Sequence, residues 1–225
     1  YLDAVASSPE LIANGVKVVL NADVTLSNSG ATLSGSKGTS AYSFNFKKDI
    51  IIQDNATATL SASNMITGST SKINVGSGAT LTVSGSFIDN TDTQQATQIT
   101  KNGTGTLEFT GTGNSYSGAT TVNAGLLSIA QGAFTNASTT ITVNNSGNLT
   151  ATDLGANVSV TVNSGGTADI SGTDITVKDI TSQTSSTTAL NFSGTSGKIT
   201  AQSISGTGAI AFGSDLEVSA LNGSG

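Results

Sequence analysis

The 225-residue sequence has no cysteine, no histidine and no tryptophan, and all eight of its basic residues are lysines. Without histidine it lacks the near-neutral base of a Ser-His-Asp or Cys-His relay. Without cysteine and histidine it lacks the usual ligands of zinc, iron–sulfur clusters and haem. Without arginine, no side chain offers the two-pronged hydrogen bonding that holds a phosphate. We therefore expect no cofactor, no metal site and no enzymatic activity.

Charge and long apolar runs are also scarce. Charged residues make up 10% of the chain, against about 25% in an ordinary domain, and the formal net charge is −6. A negative balance argues against binding to nucleic acid and to anionic membrane surfaces. No apolar run reaches the roughly 18 residues of a membrane-spanning helix. The sequence predicts no direct membrane insertion of this segment.

The only proline, Pro9, lies in an N-terminal segment that differs from the rest. Ser8 suits a helix N-cap, Pro9 the first helical position and Gly15 the position after the last turn. This pattern predicts a short helix over residues 8–15. Because stacked repeats need an end cap, we expect residues 1–15 to cover the open end of a sheet stack formed by residues 16–225.

Short strands joined by tight corners fill the rest of the chain. Val18–Leu20 and Val24–Leu26 flank a corner that ends on Asp23, and the same unit recurs around the corners that end on Asp49 and Asp215. Residues alternate between apolar and polar within each strand, so one face of each strand points inward. Valine, isoleucine and threonine, which recur in these segments, favour strands. The pattern predicts an all-β fold.

A second unit, in which an Asn/Gly corner joins two strands, gives the period of the fold. Val122, Val143 and Val162 occupy matching places in this unit, about 20 residues apart, which is the spacing of a solenoid. Asn123, Asn144 and Asn163 follow them at equivalent corners. We expect these asparagines to be corner residues that stack into an amide ladder.

One segment carries a family resemblance. Residues 103–130 contain Gly103-x-Gly105-x-Leu, then Tyr116-x-Gly118, then Thr-x-Val-x-x-Gly125-x-Leu, with Phe109 in place of a second leucine. This segment resembles the passenger-associated transport repeat of Gram-negative autotransporters. The resemblance implies a right-handed, single-stranded parallel β-helix. It also implies export through the outer membrane to the cell surface or the extracellular space, as the N-terminal part of a longer passenger.

Within this family the resemblance implies an adhesive or self-associating scaffold, with a second copy or a host surface protein or glycan as partner. A receptor-binding rod of a toxin-type passenger is the first alternative. A carbohydrate-active β-helix enzyme is the second, and it would need converging carboxylates. The aspartates are instead scattered along the chain, with Asp89 and Asp92 in a long loop and Asp174 and Asp179 five residues apart. We expect these carboxylates to lie at solvated corners. The sequence does not indicate which face of the rod binds.

Overall fold

The computed structural model describes residues 10–27, 29–134, 136–184, 186, 189–192 and 195–222. All of the regular structure in this part of the chain is β-strand, and no helix occurs there. The strands are β1 Glu10–Asn14, β2 Val18–Leu20, β3 Val24–Leu26, β4 Ala31–Ser36, β5 Phe44–Phe46, β6 Ile50–Ile52, β7 Thr57–Leu60, β8 Ile66–Thr67, β9 Ile73–Val75, β10 Thr80–Val83, β11 Ile99–Asn102, β12 Thr106–Phe109, β13 Thr120–Val122, β14 Gly125–Ile129, β15 Thr140–Val143, β16 Gly147–Thr152, β17 Ser159–Val162, β18 Thr167–Ser182, β19 Leu190–Phe192, β20 Thr195–Gly206, β21 Ala211–Phe212 and β22 Asp215–Asn222.

The strands stack into a parallel β-helix of about nine turns, which confirms the predicted fold class. The first face contains β1, β4, β7, β10, β12, β14, β16, the start of β18, β19 and β21. The second face contains β3, β6, β9, β11, β13, β15, β17, the end of β18, β20 and β22. A short third face, β2, β5 and β8, completes the early turns. Every pairing between these strands is parallel, so each coil rests on the one before it.

Alternation within the strands places one continuous apolar core between the faces. On the second face, Val122, Val143 and Val162 stack in register and are completely buried. Aromatic rings fill the interior around the middle coils, where the Phe109 and Phe134 centroids are 5.0 Å apart in an edge-to-face arrangement. Such stacking buries apolar area at every step along the axis, and this burial stabilises each coil against its neighbours.

The predicted N-terminal helix is wrong over the residues that the structure describes. Residues Glu10–Asn14 form strand β1, which pairs in parallel with β4 from Glu10–Thr32 to Asn14–Ser36. Ala13 is buried and its neighbour Ile12 is exposed, as expected in a strand, where successive side chains point to opposite faces. Pairing with β4 provides hydrogen-bond partners for the main chain of this segment. The segment is too short for a helix to overcome the free-energy cost of nucleation. Ser8 and Pro9 lie outside the described residues, and the division of the chain after residue 15 stays a prediction.

Across the described ranges, no helix is long and apolar enough to cross a membrane.

Candidate interaction face

Aspartates at the corners join one coil to the next. The carboxylates of Asp23, Asp49, Asp54 and Asp174 each accept a hydrogen bond from a main-chain N–H of the following coil, at 2.8–3.1 Å. These bonds satisfy donors that would otherwise face solvent at the corners. The predicted corner position is confirmed for these aspartates, and each carboxylate is engaged in coil stacking.

Asp174 and Asp179, which are five residues apart in the sequence, accept hydrogen bonds from different groups. Asp174 bonds to the main chain of Lys198, whereas Asp179 accepts hydrogen bonds from Ser159 at 3.1 Å and Ser203 at 2.6 Å. Asp89 and Asp92 lie in the long loop before β11. Among the described residues, no group of three or more Asp and Glu side chains is placed to hold a metal ion.

The predicted amide ladder exists and is longer than expected. Nδ2 of Asn163 donates to Oδ1 of Asn144 at 2.7 Å, and Asn144 donates in the same way to Asn123 at 2.8 Å. The chain continues from Asn123 to Asn102 at 2.9 Å and from Asn102 to Asn74 at 3.1 Å. All of these side chains are half-buried. The ladder therefore links successive coils along one edge of the second face.

A carboxylate begins the ladder and sets its direction. Nδ2 of Asn74 donates to Oδ2 of Asp49 at 3.0 Å. Because an ionised carboxylate can only accept, Asn74 must turn its amide nitrogen toward Asp49 and its oxygen toward Asn102. The same constraint then passes to each asparagine in turn, so Asp49 orients every amide of the ladder.

An uncharged surface on the second face includes four of the ladder asparagines, Asn102, Asn123, Asn144 and Asn163. Its rows are the outward-facing residues of consecutive coils, aligned by the register of β11, β13, β15 and β17. We call this surface the polar patch, and its rows are Gln98, Thr100 and Asn102; Ala119, Thr121 and Asn123; Thr140, Thr142 and Asn144; and Ser159, Thr161 and Asn163. No residue of the patch is charged, although the chain carries a net charge of −6.

The central column of the polar patch consists of threonines that face outward. Thr100, Thr121, Thr142 and Thr161 stack in register and are half-buried. Within the part of the chain that the structure describes, their hydroxyls bond to no protein group, in contrast to the ladder amides beside them. A hydroxyl can donate and accept. The column is therefore a regular array of hydrogen-bonding groups open to a ligand or to water.

A lysine that the motif analysis did not single out lies inside the rod under this patch. Lys101 is completely buried in an inward position between Ile73 and Val122. Its Nζ donates to the carbonyl oxygens of Asn102 at 2.9 Å, Gly103 at 2.6 Å and Ala124 at 3.0 Å. Burial lowers the pKa of Lys101 to about 8. The sequence contains a signal for this position, because the alternation of inward Ile99 and outward Thr100 places Lys101 inward.

The segment that carries the family resemblance, residues 103–130, contains β12 to β14 and the second row of the polar patch. Tyr116 is completely buried, and its hydroxyl hydrogen-bonds to Thr120 Oγ1 at 2.6 Å, which in turn lies 3.1 Å from Thr139 Oγ1. At Gly118 an added Cβ would lie 2.2 Å from the carbonyl oxygen of Thr97 in the preceding coil. The tyrosine and glycine of the motif therefore serve coil-to-coil packing.

A lateral loop leaves the rod just before the polar patch. Asn90 and Gln95 form an antiparallel bridge, and residues 91–95, which end on this bridge, are exposed. Oδ1 of Asp89 accepts hydrogen bonds from the main-chain N–H of Thr97 at 2.9 Å and of Ser117 at 3.0 Å, which anchors the base of the loop to the next coil. Asp92 forms an ion pair with Lys17. The hydrogen bonds at the base hold the loop in a defined position on the rod.

Comparison with known families gives one match, the passenger-associated-transport-repeat, over residues 99–129. This range contains residues 103–129 of the segment predicted over 103–130, including Tyr116 and Gly118. Neither the curated proteins nor the solved structures give a match. The repeat covers β11 to β14 and, apart from Gln98, the first two rows of the polar patch. Together with the β-helix it fits an autotransporter passenger.

Proposed function

Because the chain contains a passenger-associated transport repeat within a parallel β-helix, we propose that it is exported through the outer membrane as an autotransporter passenger. At the cell surface or after release it acts as an adhesive, self-associating scaffold. The observation that carries the proposal is the polar patch, an uncharged, regular array of threonine and asparagine side chains on the coils of the repeat and those that follow it.

Self-association fits the chemistry of the rod better than catalysis. The corner carboxylates of Asp23, Asp49, Asp54 and Asp174 are used to join coils, so they are not grouped for acid–base work. By contrast, the outward hydroxyls are available and numerous. A net hydrogen bond contributes about 0.5–1.5 kcal/mol, so binding through such a face depends on many contacts made together.

Binding to a host surface protein or glycan is a second candidate, and the lateral loop favours it. Residues 91–95 are exposed next to Asp89, whose carboxylate accepts hydrogen bonds from the main chain of Thr97 and Ser117. Loops held on a structured scaffold are common binding elements. Deletion of this loop tests the candidate. Loss of binding to host cells, together with unchanged self-association, would support it.

The test of the primary proposal uses the whole chain displayed on bacterial cells and, in parallel, the purified protein. We expect displayed cells to settle faster than cells displaying an unrelated protein of similar size. We expect the purified protein to show concentration-dependent association in sedimentation velocity experiments. A chain that stays monomeric up to millimolar concentration and does not clump cells would contradict self-association.

A further inference from the structure

A cavity of about 480 Å³ lies at the corner between the second face and the first face in the early coils. Three consecutive coils line it around the ends of β6, β9 and β11, with Ile51, Gln53, Asp54, Asn74, Gly76 and Gly103. We call it the corner cavity. Resting on the second candidate function, in its glycan form, we propose that the corner cavity binds a neutral saccharide unit. The cavity shares no residue with the polar patch or the lateral loop, so its binding does not depend on self-association.

Two glycines keep the corner cavity open. Gly76 directly follows β9 and Gly103 directly follows β11, and both are half-buried. An added Cβ at Gly76 would lie 2.4 Å from Oδ1 of Asp54, and one at Gly103 would lie 2.2 Å from the carbonyl oxygen of Val75. Because neither position accommodates a side chain, main chain from two successive coils forms part of the wall, and a ligand can approach it closely.

The first amide of the ladder, Asn74, lines the cavity and keeps unused hydrogen-bonding capacity. Its Nδ2 donates one hydrogen to Oδ2 of Asp49 at 3.0 Å, and its Oδ1 accepts one hydrogen bond from Asn102 at 3.1 Å. A primary amide has two hydrogens on nitrogen and two lone pairs on oxygen, so one of each remains for a ligand. Since Asp49 fixes the orientation of the amide, these groups are in place before a ligand binds, which lowers the entropic cost of binding.

Gln53 and Asp54 add exposed polar groups beside this amide. Oδ1 of Asp54 accepts a hydrogen bond from the main-chain N–H of Ser77 at 2.8 Å, whereas its Oδ2 and the Gln53 side chain have no partner among the described residues. Ile51 contributes a half-buried, outward-facing apolar side chain. Neighbouring hydrogen-bond donors and acceptors beside an apolar surface suit the adjacent hydroxyls and the C–H face of a sugar ring.

Charge and size favour an uncharged small ligand. Asp54 is the only ionisable residue among those that line the cavity, so a phosphate or carboxylate ligand would meet a like charge there. A metal ion would find a single carboxylate, and the described residues contain no group of three or more acidic side chains placed to hold one. The volume of about 480 Å³ falls within the roughly 300–1,000 Å³ of small-molecule sites, which suits one or two sugar units.

The small number of contacts sets the strength of this binding. With few polar side chains and one outward apolar side chain, we expect a dissociation constant in the millimolar range for a single sugar unit. Many copies of the chain on one surface would bind a glycan that repeats this unit more tightly, because each further contact forms at a high effective concentration. The cavity therefore suits glycans that present the same neutral unit many times.

Saturation-transfer NMR and calorimetry on the full chain test the site, with glucose, galactose, mannose, lactose and maltose as probes. Asp54→Asn keeps the oxygen that accepts from Ser77 but removes the charge and replaces the second acceptor by a donor. We expect this variant to bind the preferred sugar at least tenfold more weakly than the parent. Asp174→Asn is the matched control. It makes the same change at a distant corner, where Oδ1 accepts from the main chain of Lys198 at 2.9 Å, and its binding should stay within twofold of the parent.

Gln53→Ala is a second variant that leaves the coil contacts intact, because the Gln53 side chain is exposed and bonds to no described residue. We expect it to weaken binding about threefold, as the loss of one hydrogen bond to a ligand predicts. Main-chain amide shifts locate the ligand directly. On titration with the preferred sugar, the amides of Gly76 and Gly103 should shift, and those of residues 91–95 should not. Equal melting temperatures of the parent and the variants would show that the fold is retained.

The outcomes separate the cavity from the function on which it rests. If a neutral sugar binds the parent, Asp54→Asn and Gln53→Ala equally well, the corner cavity is not the site, while glycan binding by the chain stands. If none of the neutral probes binds the parent, the cavity site and the glycan form of the second candidate both fail, whereas self-association is untouched. Tighter binding of inorganic phosphate or sialic acid than of every neutral sugar would overturn the ligand class.

Discussion

Lys101 is a completely buried lysine whose ammonium group donates hydrogen bonds to three main-chain carbonyl oxygens. Burial lowers its pKa from 10.5 to about 8. In the window between these values the unfolded chain binds more protons than the folded chain, so the free energy of unfolding rises with pH. The buried tyrosine Tyr116, whose pKa is raised by burial, opposes this trend only above about pH 10.

We expect the free energy of unfolding to increase by about 2 kcal/mol between pH 7.5 and pH 9.5, from the displacement of the Lys101 pKa. Urea denaturation at several pH values measures this change. Lys101→Met is the control, since it retains the length of the side chain and removes the titrating group. A parent and a Lys101→Met variant with the same pH dependence would refute the assignment to this lysine.

At the scale of elements, the amide ladder ties the corners of consecutive strands together. Asn123 donates to Asn102 and accepts from Asn144, so it holds the middle of the ladder. We expect Asn123→Ala to lower the free energy of unfolding by about 1–3 kcal/mol, through the loss of two hydrogen bonds. Asn123→Asp should be worse at pH 7, because the introduced carboxylate faces the amide oxygen of Asn102.

The ladder variant also carries a pH signature. Since the folded state disfavours the charged form of the introduced carboxyl, its pKa is raised on folding and stability is recovered as the pH falls through that pKa. Denaturation at pH 7 and pH 4 measures this recovery. Asn145→Asp makes the same change at an exposed corner outside the ladder, and it should show neither the loss nor the recovery.

Most of the strands can be predicted from the repeat of about 20 residues and from the alternation of apolar and polar residues. Because every second residue of a strand must point inward, few pairing registers between neighbouring strands are possible. Val18–Leu20, Val24–Leu26 and Ile50–Ile52 are strands as predicted. The sequence wrongly predicts a helix in the N-terminal segment, because Ser8, Pro9 and Gly15 match helix-end signals. Those signals are local, whereas the state of Glu10–Asn14 depends on pairing with β4, about 22 residues later.

At the scale of the whole molecule, the rod depends on close approach of successive coils. Gly118 lies where a side chain would meet the main chain of the preceding coil, with the added Cβ 2.2 Å from Thr97 O. We expect Gly118→Ala to destabilise the rod by about 3 kcal/mol, since the obstacle is backbone and cannot rotate away. Thermal unfolding followed by circular dichroism measures the loss.

Gly68→Ala is the matched control for this effect. Its added Cβ would lie 3.2 Å from the side-chain oxygen of Ser71, which needs to shift by only a few tenths of an ångström, and 3.7 Å from the nearest main-chain oxygen. We expect a loss well below that of Gly118→Ala. Equal losses in the two variants would mean that coil spacing does not govern stability at Gly118.

The class of fold, the period of the coils and the stacked asparagines can be predicted from the sequence, because each follows from a pattern that repeats along the chain. The repeat segment around Tyr116 and Gly118 can be predicted from its motif. The stacking of the coils, which the sequence does not show, places Asp49 at the start of the ladder and Lys101 against carbonyl oxygens of two different corners. It also leaves the hydroxyls of Thr100, Thr121, Thr142 and Thr161 without a partner among the described residues. These facts depend on which groups of neighbouring coils meet in space, and residues about 20 positions apart become neighbours only when the coils stack.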